Sequence, residues 1–214
     1  MVNSMTKNVS LIWSTPNPEY QVAVAMRRCT SIDNIEYIQK DLWEAGPQEW
    51  ARMIDIAHRD KSYDVFEHVV FEFAIDKISL VAAMQLFRHR MIARDLSPDM
   101  LSERFSPAVS KPEYVIPPSF ADCDECRNKY LEVAANAEKA CKDIRAHGHP
   151  KQDARFAMIE GTASKLVLTL NATALLHIAN MRIDKKAQWE IRDIVTEMVE
   201  LAKTCTPSIF SKYS

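Results

Sequence analysis

Two periodicities alternate along this chain. Val69, Phe71, Phe73 and Ile75 take every second position, with Val70, Glu72 and Ala74 between them, and this run of β-branched and aromatic residues is the clearest strand signal. Residues 9–13 read as a shorter first strand. Elsewhere the spacing is helical. Residues 18–28 form one candidate, with Tyr20, Val24 and Arg27 in phase. Pro47 opens another at a favoured first-turn position, running to about residue 59 with Trp50, Met53, Ile54 and Ala57 as its apolar stripe. Residues 78–87 return to helical spacing after the strand. Residues 122–147 carry Tyr130, Val133, Ala134, Ala137, Cys141 and Ile144 on one face. Residues 186–203 turn Ile191, Ile194, Val195, Met198 and Ala202 inward, with Pro207 beyond the end. The apolar stretch 152–178 is expected to form one or two buried helices. Residues 93–118 hold Pro98, Pro107, Pro112, Pro117 and Pro118 and read as irregular, a kind of segment that often serves as a binding loop. With no repeat, linker or low-complexity tract, the pattern predicts a single helix-rich α+β domain over residues 1–214.

Composition narrows the chemistry. A formal net charge of -2 gives no reason to expect nucleic acid or an acidic membrane as partner, so any anionic ligand must be held by a local cluster of Arg and Lys. Gly occurs 3 times, and neither GxGxxG nor GxxxxGK[ST] is present, so a nucleotide would be held by side chains and helix ends. Residues 1–14 do not read as a signal peptide, and no run of about eighteen apolar residues marks a membrane span. The chain is expected to work in the cytoplasm, with its 5 Cys as reduced thiols.

Two groups of residues stand out. Gln85-Leu86-Phe87-Arg88-His89-Arg90 closes a helix with cationic groups, and Leu101-Ser102-Glu103-Arg104-Phe105 follows. Arg forks match phosphate oxygens bidentately and a Ser hydroxyl adds a donor; the same residues also suit a solvated basic helix end. The second group is Arg155, Asn171, Asn180-Met181-Arg182 and Ala187-Gln188-Trp189-Glu190-Ile191. Asn171 and Asn180 stand amid Leu166, Leu168, Leu170, Leu175, Leu176 and Ile178. An unpaired amide in such surroundings costs roughly 1–3 kcal/mol, so each braces the core or faces a ligand, and both readings stay open.

Taken together, Phe66-Glu67-His68, then Gln85-x-x-Arg88-His89-Arg90, then Leu-Ser-x-Arg-aromatic at 101–105, then Asn180-x-Arg182 and the Ala187 to Ile191 block resemble the signature of the flavin-dependent thymidylate synthases. The spacing from Arg155 to Arg182 is also similar, and the match runs from about Thr30 to Pro207. Arg-His-Arg alone is a weak motif; with the preceding strand and the later block it is specific. The resemblance implies a helix-rich α+β fold with a small antiparallel sheet, assembled as a homotetramer with FAD where subunits meet. It implies FAD contacts from Arg88, His89, Arg90 and Met91, with Glu67, Asn171 and His177 around the flavin and Thr30 where the family often has a FAD-contacting Ser. Gln85, Ser102 and Arg104 would bind the nucleotide, chiefly its phosphate, while Arg155 and Arg182 approach the uracil ring. The implied reaction is reductive C5-methylation of dUMP, with NADPH as reductant and 5,10-methylenetetrahydrofolate as carbon donor. Charge that builds on the ring oxygens needs a fixed donor in a water-poor cleft, and Arg182 is the expected catalytic residue. Ser102 has no adjacent base and reads as a phosphate ligand, not a nucleophile.

Departures from the family pattern cluster on the flavin and nucleotide side. Ser102 stands further beyond Arg90 than is usual, as if residues were inserted around 94–98, and Phe105 replaces a common Tyr. Ser62 occupies the place of a frequent His, Asp64 of a Thr, Thr173 of an Arg, His177 of an Asn and Lys186 of a His. Two alternatives follow: the same chemistry on UMP or another pyrimidine nucleotide, or a non-catalytic flavin- or nucleotide-binding protein. Cys123-x2-Cys126, with Cys141, His147 and His149 downstream, is an imperfect zinc pattern and reads as structural, so no metal is expected. Met26, Met53, Met84, Met158 and Met198 read as core fillers, and His58 as a helix surface or core residue.

Overall fold

The computed structural model describes residues 8–89, 96–100, 112–120 and 122–213. Its architecture is α+β and helix-rich. The strands are β1 (Val9–Ser14), β2 (Val70–Ser79), β3 (Leu96–Met100) and β4 (Ala163–Asn171), and they form a sheet in the order β1-β2-β4-β3. The helices are α1 (Pro18–Thr30), α2 (Ile35–Ala45), α3 (Pro47–Asp60), α4 (Leu80–Phe87), α5 (Asp124–Ala146), α6 (Lys151–Ala154), α7 (Ala172–Arg182) and α8 (Trp189–Lys203). The chain divides into two compact units: Met1–Ile75 with His89–Pro98 and Val167–Ser214, and Asp76–Arg88 with Asp99–Leu166.

In the first unit β1 and β2 run antiparallel, with Val9 opposite Ile75 and Ser14 opposite Phe71, and the register slips between Leu11 and Trp13. Phe71, Phe73 and Ile75 are buried, as their alternation requires, and the Phe71 ring lies 6.0 Å from that of Phe210. α1, α2 and α3 close around Ala23, Ile38, Leu42 and Met53. Gly46 joins α2 directly to α3 at φ 78, a conformation that L side chains resist. The segment after α8 is tied back twice. The Ser208 amide donates to the buried Glu19 Oε1 at 2.7 Å, and His58 Nε2 donates to the Ser208 carbonyl at 3.2 Å.

In the second unit Tyr114 bridges to Thr162, and the amides of Val115 and Ala163 bond to the carbonyls of Gly161 and Glu113, both at 2.8 Å. The Tyr130 hydroxyl donates to the Val115 carbonyl at 2.9 Å and crowds Gly161 so closely that a Cβ there would collide with it. Glycine is therefore demanded by close approach.

Several expectations are corrected. Residues 152–178 hold strand β4 between the short α6 and α7, instead of consecutive buried helices. Leu166, Leu168 and Leu170 are buried while Lys165, Val167 and Thr169 are less so, a period of two inside an apolar run that suits an interior strand. α2 is absent from the expectation because only Ile38 and Leu42 of its residues are buried; its N-cap is Asn34, which accepts from the Tyr37 amide at 2.8 Å. α4 begins two residues later than expected, since Ser79 ends β2 and caps the helix by accepting from the Ala82 amide at 3.1 Å. β3 falls in the stretch expected to be irregular. The expectation of reduced thiols fails for Cys123 and Cys126, which form a disulfide: they stand one turn apart at the start of α5 with Cα atoms 5.2 Å apart, within bridging range. Cys29, Cys141 and Cys205 are not disulfide-bonded, and the Cys141 thiol donates to the Ala154 carbonyl at 3.1 Å.

The Glu19 bond yields a prediction. Glu19→Ala strands the Ser208 amide and is expected to lower unfolding free energy by about 1–3 kcal/mol, whereas Glu19→Gln, which keeps an acceptor, should recover most of it. Urea denaturation of the three proteins measures the difference.

Candidate functional site

The site in the first unit is organised by α7. Its N-cap, Asn171, is 4% exposed and its Oδ1 accepts the Ala174 amide at 2.8 Å. Two further bonds fix the start of the helix. The Ala172 amide donates to the Val69 carbonyl at 2.8 Å, and Thr173 Oγ1 donates to the Tyr63 carbonyl at 2.6 Å. α7 is thereby pinned to the 3-10 turn Tyr63–His68. Leu175, Ile178 and Ala179 turn inward, and Thr173, His177 and Asn180 share the opposite face at helical spacing.

Arg182 ends α7 half-buried, and its Nε donates to Nε2 of His89 at 2.9 Å. An Arg N–H can only donate, so that His nitrogen must lack a proton and the ring is neutral, with its hydrogen on Nδ1. The environment agrees: His89 is 6% exposed, and burial first, then the Arg182 charge, then His177 hold its pKa below the ordinary value of 6.5. The His177 ring stands edge-on to His89, with centroids 6.3 Å apart. The terminal nitrogens of Arg182 make no hydrogen bond or ion pair among the described residues, which leaves a two-pronged donor available to a ligand.

Beside this pair lies a cleft of about 250 Å³ lined by His58, Tyr63, Thr173, His177, Asn180 and Lys212. Among the described residues, none that line it is acidic. Asn180 Oδ1 accepts from Lys212 Nζ at 2.8 Å and from the Tyr213 hydroxyl at 2.7 Å. Burial pushes the Tyr213 pKa up to about 12, so the phenol stays a donor. Both amides left open by the sequence thus have a protein partner on the oxygen side.

Among the sequence-derived site residues, His89, Asn171, His177 and Arg182 come together on and around α7. Glu67 is exposed on the Tyr63–His68 turn. Thr30 is exposed at the end of α1, its hydroxyl donating back to the Met26 and Arg27 carbonyls at 3.2 and 3.3 Å. Gln85, Arg88 and Arg155 belong to the second unit, Gln85 half-buried on α4, Arg88 exposed at its C-cap and Arg155 exposed after α6. Arg90, Met91, Ser102 and Arg104 lie outside the described residues. Sequence reasoning missed Lys212 and Tyr213, which are far from every motif, and set aside His58; the polar spacing of Arg52, Asp55 and Arg59 on α3 was the available signal for that wall.

A family model described as thymidylate synthase complementing protein matches residues 10–208. The flavin-dependent thymidylate synthase of Geobacter sulfurreducens is 32% identical over 204 residues, covering 94% of this chain and 84% of that protein. That of Clostridium tetani is 30% identical over 228 residues, covering 99% and 88%. That of Saccharolobus solfataricus is 32% identical over 214 residues, covering 97% and 76%. No helix among the described residues is long and apolar enough to cross a membrane.

The depressed His89 pKa carries a signed consequence. The unfolded chain takes up a proton near pH 6.5 and the folded one resists it, so stability is intact above 6.5 and declines as pH falls through that value toward the lowered one. Urea midpoints at about pH 7.5 and about pH 5.5 should fall further for the wild type than for His89→Gln; equal losses would discount His89.

Proposed function

The chain belongs to the thymidylate synthase complementing protein family, and on that footing we propose that it is a flavin-dependent thymidylate synthase, converting dUMP to dTMP by reductive C5-methylation with FAD, 5,10-methylenetetrahydrofolate and NADPH. The observation that carries the reading is the Arg182–His89 pair: a guanidinium held by a neutral, buried ring, with its terminal nitrogens uncommitted among the described residues. Such a fork suits an electron-rich pyrimidine edge. As negative charge grows on the uracil oxygens, donors already in place stabilise it without reorganising. His89 acts as the positioning residue, since it fixes the plane of the guanidinium through Nε, and the capped and pinned start of α7 fixes the other end of the helix.

The cleft beside α7 fits a flavin nucleotide in its chemistry. It offers the Tyr63 ring, the His58 and His177 rings and the Lys212 ammonium, and no carboxylate among the described lining residues would repel phosphates. When bound, FAD supplies the reducing equivalent that completes the methyl group. Arg88, His89, Arg90 and Met91 with Thr30, Glu67, Asn171 and His177 form its proposed surroundings. Gln85, Ser102 and Arg104 hold the nucleotide phosphate, and Arg155 joins Arg182 at the pyrimidine. The working form is a cytoplasmic homotetramer. Phe156, beside Arg155, is 87% exposed in the single chain, an aromatic surface suited to cover by a neighbouring subunit.

Purified protein should be yellow, sediment as a tetramer, and release tritium from 5-labelled dUMP when given NADPH and methylenetetrahydrofolate, with UMP as the control substrate. A colourless protein that takes up no FAD overturns the reading. Arg182→Ala should lower kcat by about 10²–10³ while leaving the fold intact, as for removal of a preorganised donor; activity surviving in that variant removes Arg182 from the mechanism.

A further inference from the structure

A second recess, of about 600 Å³, adjoins the cleft of α7 and is lined by Arg52, Asp55, His58, Arg59, Tyr63 and Lys212. His58, Tyr63 and Lys212 line both hollows, so Lys212 stands at their seam. The balance of charge is positive. Arg52 is engaged by Glu49 at 2.6 Å, but Arg59 and Lys212 face the recess with Asp55 as its one acidic lining residue.

Lys212 is an exposed cation whose hydrogen-bond partner is neutral. Its ammonium touches the neutral Asn180 Oδ1 at 2.8 Å and lies 4.9 Å from the centre of the Tyr213 ring, and it forms no ion pair among the described residues. Its side chain stays exposed, and partial desolvation pushes its pKa down from 10.5. An exposed ammonium held by a neutral amide oxygen where two hollows meet, with Asp55 the one acidic residue among those described around them, is placed to receive an anion. α7 itself offers no permanent cation on this face, because positions 173, 177 and 180 are Thr, His and Asn and the Thr173 hydroxyl is spent on the Tyr63 carbonyl. The turn that carries Lys212 is also firmly built. Tyr213 donates to Asn180, Lys203 Nζ donates to the Tyr213 carbonyl at 3.2 Å, and the upstream Ser208 is held by Glu19 and His58.

We propose that Lys212 is an anion-binding residue contributed by the C-terminal turn to the flavin site, gripping the diphosphate of the dinucleotide where the two hollows meet. The inference rests on the reading of the α7 cleft as the flavin site. An elongated ligand seated in that cleft and extending over Tyr63 passes the Lys212 ammonium before reaching Arg59, so the charged middle of the ligand meets the charge of the protein.

The test uses the full-length protein, freed of flavin and reloaded, as wild type, Lys212→Met and Lys212→Arg, each first checked for an unchanged thermal midpoint. Dissociation constants are measured by fluorescence quenching for FAD and for riboflavin, which lacks phosphate, and by calorimetry for inorganic pyrophosphate. Lys212→Met should weaken FAD about tenfold or more, consistent with a lost charge-assisted contact, leave riboflavin within about twofold, and abolish pyrophosphate binding. Lys212→Arg should restore most of the FAD affinity. A parallel loss of FAD and riboflavin would assign Lys212 a structural role and overturn the proposal, as would no loss at all. Displacement of pyrophosphate by dUMP but not by FAD would move the anion site to the substrate and overturn it equally. If wild type takes up no flavin, the functional reading fails, and the proposal with it as regards flavin; pyrophosphate heats that match in wild type and Lys212→Met would then also dismiss the anion site itself, while heats lost only in Lys212→Met would preserve it.

Discussion

Arg182 reaches His89 across 93 positions of sequence through a single hydrogen bond, and the rest of the site takes its meaning from that contact. A guanidinium is always charged and normally mobile at the end of a long side chain. Here one of its nitrogens is committed to a ring that must be neutral to accept it, and the ring is buried where neutrality is favoured. The remaining donors are thus aimed from the other end of the fork, and their direction is set by a residue that carries no charge of its own. A lysine in place of Arg182 could not divide its donors in this way, because an ammonium has no rigid plane to be oriented.

That contact depends on where α7 lies, and hydrogen bonds at its start add direction to the apolar packing of its inner face. Its N-cap, the amide of Ala172 and the hydroxyl of Thr173 meet three different partners within one turn. Each bond is worth only about a kilocalorie net, but together they allow one position along the helix axis and one rotation about it. The apolar face then follows, with Leu175, Ile178 and Ala179 inside and the polar face directed at the cleft.

Much of this was legible in the sequence where period and chemistry coincide. The Phe71, Phe73, Ile75 alternation gave a strand with those residues buried, and Ile191, Ile194, Val195, Met198 and Ala202 gave the inner face of α8. β4 was not legible, because its less buried face carries Val167 and Thr169, so residues 166–170 read as a nearly unbroken apolar run that resembles a buried helix. α2 escaped for the opposite reason, burying too few residues to mark a stripe. In the site, motif residues such as Arg182 and His89 could be named but their hydrogen bond could not, since no spacing rule connects positions so far apart. Lys212 was invisible for a related reason: its role comes from a turn folded back onto α3 and α7, and nothing local distinguishes it from any solvated lysine near a chain end.

The Cys123–Cys126 bridge at the head of α5 has a different kind of consequence. Its sulfurs are separated by only three positions in the chain, so it closes a very short loop and removes little freedom from the denatured chain. Its influence is therefore local. It fastens the opening turn of a 23-residue helix, where the Cys126 amide also donates to Cys123 Sγ, and resists fraying there. A reducing environment would loosen the tip of that helix and leave the remainder of the architecture standing.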